Sequence, residues 1–300
     1  MERRWIGIAA FLGAITLSAC GAGGGTESAQ PGGEPAVSEN PTEVDPARIT
    51  LPLDHYRQSA EDQKILNQAF SAEMTHCMAR YGFSYPATQS SSVDEIGNSR
   101  RYGIHDAEAA RERGYHPPKD LLDKQRALDA GQNQNKLSNE AQAVASGKGQ
   151  SELNGKEIPV GGCQGEVARN LLRGIKNIPK ASLVDELSAQ SYDRSLQHSR
   201  VREAFGQWST CMKESGFNYR SPMDANNDRA FSAEEPTQIE MDTATADIGC
   251  RKKTRLIAVW ASVDSAYQKK AIEGNAIQLA QIREAQVTQV KNAASSIGQR

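Results

Sequence analysis

The sequence predicts an all-α protein, with a disulfide-stapled helical body made of two related helix–insert–helix units. Apolar residues recur at three- and four-residue spacing along most of the chain, and no run shows the alternation of a half-buried strand. The motif C-M-x-x-x-G-F-x-Y occurs twice, at 77–85 and 211–219. A Gly-Cys pair follows each copy, at 162–163 and 249–250, so the two halves of the chain share a pattern.

The N-terminus has the features of an export and lipidation signal. Two arginines precede an apolar run at 5–16, which has the length of a signal-peptide core and is too short to span a bilayer. Leu-Ser-Ala-Cys at 17–20 resembles the bacterial lipobox, in which the cysteine sulfur accepts a diacylglycerol before cleavage. We therefore expect residues 1–19 to be a lipoprotein signal peptide that is cut between Ala19 and Cys20. The alternatives are an ordinary secretory signal with an incidental cysteine and a membrane-anchoring helix.

The remaining cysteines and the next segment agree with an exported protein. The chain has five cysteines, and acylation of Cys20 leaves an even number for disulfides in an oxidising compartment. Residues 20–50 are rich in Gly, Ser, Pro and Glu, which predicts a disordered tether after the lipidated residue. The expected location is the outer, extracytoplasmic face of the cytoplasmic membrane, with the membrane as a partner through acylated Cys20.

Two helical units are expected after the tether. The first, at 51–180, opens with a helix capped by Ser59 and ended by Gly82, and it contains a polar insert at 131–159 that is expected to be mobile. The second, at 181–300, has a break near Ser199, a helix end at Gly216 and a long C-terminal helix.

The repeat suggests how the cysteines pair. Four cysteines permit three connectivities. Pairing Cys77 with Cys163 and Cys211 with Cys250 closes each unit on itself, and the repeat favours this arrangement. The alternative joins Cys77 to Cys211 and Cys163 to Cys250, which would link the two units to each other.

Several short motifs are similar to those of a known group of proteins. The lipobox, the segments at 101–105, 114–118, 208–212 and 246–250, and the downstream Trp260 and Tyr267 resemble secreted lipoproteins of actinobacteria. The resemblance covers most of 51–279. That family has no assigned activity, so the resemblance implies a location and a fold but no site.

Motifs for catalysis, metals and cofactors are not found. The five histidines include no His-x-x-x-His pair, and no Cys-x-x-Cys, phosphate-binding loop or G-x-S-x-G turn occurs. We therefore predict no catalytic residue, metal or cofactor. The net charge of −2 gives no reason to expect a nucleic-acid partner.

One group of residues is a candidate surface for a ligand or partner. It combines aromatic side chains with a basic cluster: Trp208, Tyr219, Trp260, Tyr267, Arg251, Lys252, Lys253 and Arg255. The competing interpretations are an aromatic core and a solvated helix face. The sequence favours a non-catalytic binding or interaction module whose partner is an envelope protein or polymer. The alternative is an envelope hydrolase with a site assembled from dispersed residues.

Overall fold

The computed structural model describes residues 33–86, 97–134, 137–176, 180 and 182–298. The predictions for the signal peptide, Ala19 and Cys20 therefore lie outside the described residues. Residues 35–300 form one compact unit. Within the described part the chain is mostly helical, with α1 Ala60–Ala79, α2 Ala107–Arg113, α3 Lys119–Gln134, α4 Asn139–Ser146, α5 Gly162–Leu171, α6 Leu183–Gln197, α7 Ser199–Glu214, α8 Pro222–Asn226, α9 Gln238–Lys253, α10 Leu256–Gly274 and α11 Ala276–Gly298.

The two copies of the repeated motif end their helices in the same way. After α1, Gly82 has φ +82° and the Phe83 amide donates to the Met78 carbonyl at 3.1 Å. After α7, Gly216 has φ +91° and the Phe217 amide donates to the Met212 carbonyl at 2.9 Å. This backbone conformation is accessible mainly to glycine, and both predicted helix ends are confirmed.

Two disulfides join the cysteine pairs that the repeat favours. Cys77 bonds Cys163 and Cys211 bonds Cys250, each with a Cα–Cα distance of 5.6 Å. The bonds differ in where they hold the second helix. Cys163 lies in the first turn of α5, as expected, whereas Cys250 lies in the last turn of α9. The second Gly-Cys pair therefore does not begin a helix, because α9 already starts after its cap at Thr237.

The polar insert is ordered in its second part. Helix α4 begins after Ser138, whose hydroxyl accepts from the Ala141 amide at 3.2 Å. Ala141, Val144 and Ala145 are buried against α1 and α5. We expected a mobile segment because Gln, Asn, Ser and Gly dominate its composition. Three small apolar side chains at helical spacing are enough to attach it to the core.

A small hairpin within the insert was not predicted. Strand β1, Glu152–Leu153, pairs antiparallel with β2, Lys156–Glu157. Asn154 and Gly155 connect them with φ of +53° and +75°. Asn-Gly is a strong signal for a two-residue hairpin turn, and it was available in the sequence. The Tyr81 hydroxyl donates to the Glu157 carbonyl and ties the hairpin to the end of α1.

The C-terminal part of the expected tether lies on the helical body. Val37, Val44 and Ile49 pack against the core cluster around Trp260. Arg200 donates to the Glu39 carbonyl at 2.7 Å, so backbone contacts also hold the segment. The prediction of disorder is therefore wrong for 35–50. Spaced apolar residues supply the burial that the composition alone did not indicate.

Within the described residues, the C-terminal region contains α9, α10 and the long C-terminal helix α11. Arg255 has φ +53° and separates α9 from α10, and Asn275 separates α10 from α11. Helix α11 packs along α1, and its residues Leu279, Ile282 and Ala293 are buried. These residues face the body, whereas Ile277 and Val287 of the same helix are exposed.

Three further observations concern where helices begin and end. The break at α6–α7 is confirmed and falls at His198, whose ring accepts from the Arg200 amide at 3.1 Å. Helix α5 ends at Leu171, well before Pro179, which lies outside the described residues. The expected loop 221–231 contains the short helix α8. No helix of the described part has the length and apolar character required to cross a bilayer.

Candidate functional site

The two predicted surface tryptophans are in the core. Trp208 and Trp260 are each 0% exposed. Tyr102, Tyr192 and Phe205 surround Trp260 with ring centroids at 5.2, 5.4 and 5.1 Å. The prediction that these tryptophans form a ligand surface is wrong. Burial of their large apolar rings stabilises the fold more than exposure would.

The two predicted surface tyrosines occupy different environments. Tyr267 is buried, with the Arg194 guanidinium 4.7 Å from its ring centroid, and it is not part of a surface. Tyr219 is half-buried and its hydroxyl donates to Asp228 at 2.7 Å. Burial and this hydrogen bond raise the pKa of Tyr219 to about 12. Its hydroxyl is thus a neutral donor at ordinary pH.

The predicted basic cluster is divided among three roles. Arg251 is 2% exposed and belongs to the interior. Arg255 donates to the Pro41 carbonyl and to the Glu43 carboxylate, so it fastens the N-terminal segment. Lys252 and Lys253 are exposed, and Lys253 pairs with a carboxylate on α7 at 3.3 Å. The cluster is therefore not one continuous basic surface.

Four buried side chains of α9 and α10 form a polar clamp on the segment 97–118. We define the clamp as Glu240, Asp247, Arg251 and Asp264, none of which is more than 2% exposed. Buried ionised groups are stable only when they are paired and hydrogen-bonded. Most polar atoms of the clamp meet this requirement with partners from three separate parts of the chain, whereas Glu240 Oε2 and Arg251 Nη2 make no hydrogen bond within the described residues.

Asp247 is at the centre of the clamp. One carboxylate oxygen accepts from Trp208 Nε1 at 2.7 Å and from Arg251 Nε at 2.6 Å. The other accepts from the Tyr115 hydroxyl at 3.2 Å. These bonds join α7, α9 and the segment after α2.

Arg251 extends the clamp to the backbone of the segment. Its Nη1 donates to the Tyr102 carbonyl. Gly103 follows with φ +98°, and a Cβ on this residue would lie 2.6 Å from the same nitrogen. Glycine is therefore required at 103 both for the backbone conformation and for the close approach of the guanidinium.

Asp264 holds the other side of the segment. It accepts from the Tyr102 hydroxyl at 2.8 Å, from Arg101 Nε at 2.7 Å and from Gln268 at 3.1 Å. Gln268 in turn accepts from the Leu53 amide at 3.0 Å. The network thus connects α10 to the residues that precede α1.

Glu240 fixes the exit from α2. Its Oε1 accepts from the Tyr115 amide at 2.9 Å. Gly114, with φ +58°, would place a Cβ 2.5 Å from that oxygen, so glycine is required there. The other oxygen lies 3.4 Å from His116 Nε2.

The pKa shifts of the two tyrosines that bond the clamp carboxylates indicate a structural role. Burial raises the pKa of both Tyr102 and Tyr115, and the nearby carboxylates Asp264 and Asp247 raise it further. Both hydroxyls therefore remain protonated and donate. Because the clamp carboxylates have no exposed surface, a substrate has no access to them.

A cavity of about 190 Å³ is lined by residues of the segment 97–118 and by Leu121. Its polar wall carries two arginines, two histidines and one carboxylate. We name it the arginine pocket, defined by Arg100, His105, Asp106, Arg113 and His116. Ile104, Ala109 and Leu121 contribute an apolar wall.

The pocket places positive charges close together. Burial lowers the pKa of Arg100, and the charge of Arg113 lowers it further. Burial also lowers the pKa of His105, with a contribution from Arg100, although the Asp106 and Asp45 carboxylates act in the opposite direction. The Asp106 carboxylate caps α2 by accepting from the Glu108 and Ala109 amides at 2.9 and 3.1 Å.

One donor of the pocket is left without a partner. Arg113 Nε is buried and makes no hydrogen bond in the described part of the chain. His116 Nε2 also makes no hydrogen bond, but it faces the Glu240 carboxylate at 3.4 Å. Arg100 is held in place, because its Nη2 donates to the Tyr115 carbonyl at 3.0 Å. Buried unpaired donors are rare in native structures and call for an explanation.

Short sequence motifs include part of the clamp, but no motif includes the two arginines of the pocket. The segments 101–105, 114–118, 208–212 and 246–250, which carry the resemblance stated above, meet at Asp247 and its partners. Arg100 and Arg113 belong to no motif, and both line the pocket from the same segment of the chain. No group of His, Cys, Asp or Glu within the described residues is arranged to hold a metal ion.

Comparison with known proteins adds no assignment. No protein-family model, curated protein sequence or solved structure matches this chain.

Proposed function

We propose that the protein is a lipoprotein anchored through acylated Cys20 at the outer face of the cytoplasmic membrane. Its helical body serves there as a non-catalytic binding module of the cell envelope. The observation that carries the anchor is the order of basic residues, short apolar run and Leu-Ser-Ala-Cys at the start of the chain. The even number of remaining cysteines, all in disulfides, supports export to an oxidising compartment.

The docked N-terminal segment limits how far the body can lie from such an anchor. Because residues 35–50 belong to the compact unit, only residues 21–34 separate it from Cys20. Fourteen residues span at most about 50 Å when fully extended. The proposed module therefore works close to the membrane surface.

The binding role is supported by where the charged groups lie. The carboxylates of Asp247 and Asp264 are each 0% exposed and accept hydrogen bonds from neighbouring side chains. A hydrolase would need such groups at a surface that substrate can reach. The arginine pocket lies at the surface of the body, and its features suit binding.

The anchor can be tested by metabolic labelling with an alkyne-bearing fatty acid. We expect wild-type protein to incorporate the label and Cys20→Ala to lose it. Ser18→Ala is the matched control, because it keeps a small residue before the cut and leaves the cysteine in place. Label retained in Cys20→Ala would contradict the proposal.

We also propose that the two stapled units are related by duplication. The shared motif and the matching helix ends at Gly82 and Gly216 support this. The different positions of Cys163 and Cys250 within their helices require that one of the halves changed after the duplication. An alignment of relatives in which one motif occurs without the other in most members would contradict it.

A further inference from the structure

We infer that the arginine pocket is a binding site for a phosphate group, held between the guanidinium groups of Arg100 and Arg113. This gives the proposed binding module a ligand class. The inference rests on the proposed function only in taking the body to be a binding module. The pocket itself lies in the body and does not depend on the lipid anchor.

The first step of the inference is the state of Arg113. Its guanidinium makes no hydrogen bond or ion pair with any side chain in the part of the chain that the structure describes, although it lines the cavity. An arginine in a partly buried position usually has an acidic or carbonyl partner. Its forked donors match the geometry of phosphate oxygens. An anion in the pocket would supply the partner that the protein does not.

The second step is the charge balance. The two arginines carry two positive charges, and Asp106 is the carboxylate of the pocket wall. Asp106 Oδ1 is occupied by two backbone amides of α2. With both histidines neutral, the residues that line the cavity carry one net positive charge, and Arg100 and Arg113 repel each other. The Glu240 carboxylate lies behind this lining, 3.4 Å from His116 Nε2. A bound anion relieves this repulsion in a partly desolvated site, where electrostatic interactions are strong.

The third step concerns size and surroundings. About 190 Å³ accommodates a phosphate with a small substituent but not a polymer segment. Arg100 is already oriented by the Tyr115 carbonyl, so one side of the site is preorganised. Ile104 and Leu121 would contact the less polar part of an esterified phosphate. The ligand is therefore free phosphate or the headgroup of a phospholipid.

The test is a calorimetric titration of inorganic phosphate into the full-length protein, purified in non-ionic detergent at pH 7 in chloride buffer. We expect one saturable site, with binding weakened about tenfold to a hundredfold by Arg113→Gln, since a hydrogen bond to a charged group is lost. The control is Arg111→Gln, which removes the same charge from an exposed position on the same helix. It should bind as wild type does.

Three results would overturn the inference. They are a heat signal that does not saturate, equal weakening by Arg111→Gln and Arg113→Gln, and unchanged binding in a folded Arg113→Gln protein. If Arg113→Gln does not fold, Arg113→Lys replaces it, because it keeps the charge and loses the fork. Weaker binding by Arg113→Lys supports the inference, and unchanged binding contradicts it.

A second titration distinguishes the two sources of phosphate. Glycerophosphoglycerol, the soluble headgroup of phosphatidylglycerol, is compared with inorganic phosphate on the same protein. Tighter binding of the diester identifies a lipid headgroup, and tighter binding of inorganic phosphate identifies the free ion. Failure of both would refute the pocket assignment and leave the labelling test of Cys20 unaffected.

Discussion

At the scale of single residues, Arg251 is the side chain on which the clamp depends most. It neutralises the buried Asp247 carboxylate and also bonds the Tyr102 carbonyl. We expect Arg251→Met to lower the free energy of unfolding by about 3–5 kcal/mol, because a buried carboxylate loses its counter-charge. Urea denaturation measures this.

The neighbouring Lys252 provides the matched control. It carries the same charge one residue further along α9 but is exposed. Lys252→Met should change the free energy of unfolding by less than about 0.5 kcal/mol. Similar losses in the two variants would contradict the existence of a buried clamp.

The free energy of unfolding should depend on pH through Tyr219, in a direction that its pKa shift determines. Its pKa in the folded protein is about 12, raised first by burial and then by the bond to Asp228, against an ordinary value of 10.0. The folded state therefore keeps a proton that the unfolded state releases, and the contribution to stability is present below pH 10 and is lost as the pH rises from 10 to 12. The absorbance titration of wild type minus that of Tyr219→Phe should show this phenol ionising near pH 12. A midpoint at or below 10 would contradict the hydrogen-bonded environment.

The residue scale also shows where sequence reasoning ends. Thr237 and Glu240 have the spacing of a capping box. The hydroxyl does accept from the Glu240 amide at 3.3 Å. The Glu240 carboxylate bonds the Tyr115 amide, 125 residues earlier in the chain. Local spacing identifies a cap, but it carries no information about a partner brought in by tertiary packing.

At the scale of elements, the two disulfides should differ in their effect on stability. The Cys77–Cys163 bond closes a separation of 86 residues and the Cys211–Cys250 bond one of 39. The loop-length model assigns them about 4.6 and about 3.9 kcal/mol, since the longer loop loses more freedom in the unfolded chain.

Paired Cys→Ser variants test this order. We expect thermal unfolding at a lower temperature for the double variant at 77 and 163 than for the one at 211 and 250. The opposite order would show that local packing at α9, and not loop closure, determines the contribution of the bonds.

Helix ends were predictable where local chemistry determines them. Ser59 and Gly82 delimit α1 because a side-chain cap and a positive φ act within a few residues. The break between α9 and α10 was not predictable. Arg255 adopts φ +53° while its side chain bonds Pro41 and Glu43, more than 200 residues away in the chain.

At the scale of the whole molecule, the N-terminal segment is part of the folded body. Val44 packs against the cluster around Trp260. We expect Val44→Asp to lower the free energy of unfolding by about 1–2 kcal/mol, because a charge replaces a partly buried apolar group. Thermal or urea unfolding measures the loss.

Val160 is the control for this substitution, since it is 85% exposed. Val160→Asp should leave stability nearly unchanged. Equal stability of the two variants would indicate that 35–50 is a loose tether after all, as its composition predicted.

The whole of 20–50 is polar, yet the structure places 35–50 on the body. All six glycines of 20–50 lie before residue 35, and the docked part differs from the rest by lacking glycine and by containing three spaced apolar residues. Burial depends on a complementary surface elsewhere in the fold, which no single segment reveals. The arginine pocket was unpredictable for a similar reason, because Arg100 and Arg113 belong to no motif and the sequence does not show how the segment that carries them folds.

The central claim is a body with two disulfides anchored to the membrane by an acylated Cys20. The most direct measurement is the intact mass of the protein extracted from bacterial membranes, with thiol alkylation before and after reduction. The account predicts a chain that begins at Cys20, carries a diacylglyceryl modification and gains four alkyl groups only after reduction. A chain that retains residues 1–19, or an unmodified Cys20 that is alkylated without reduction, would contradict it.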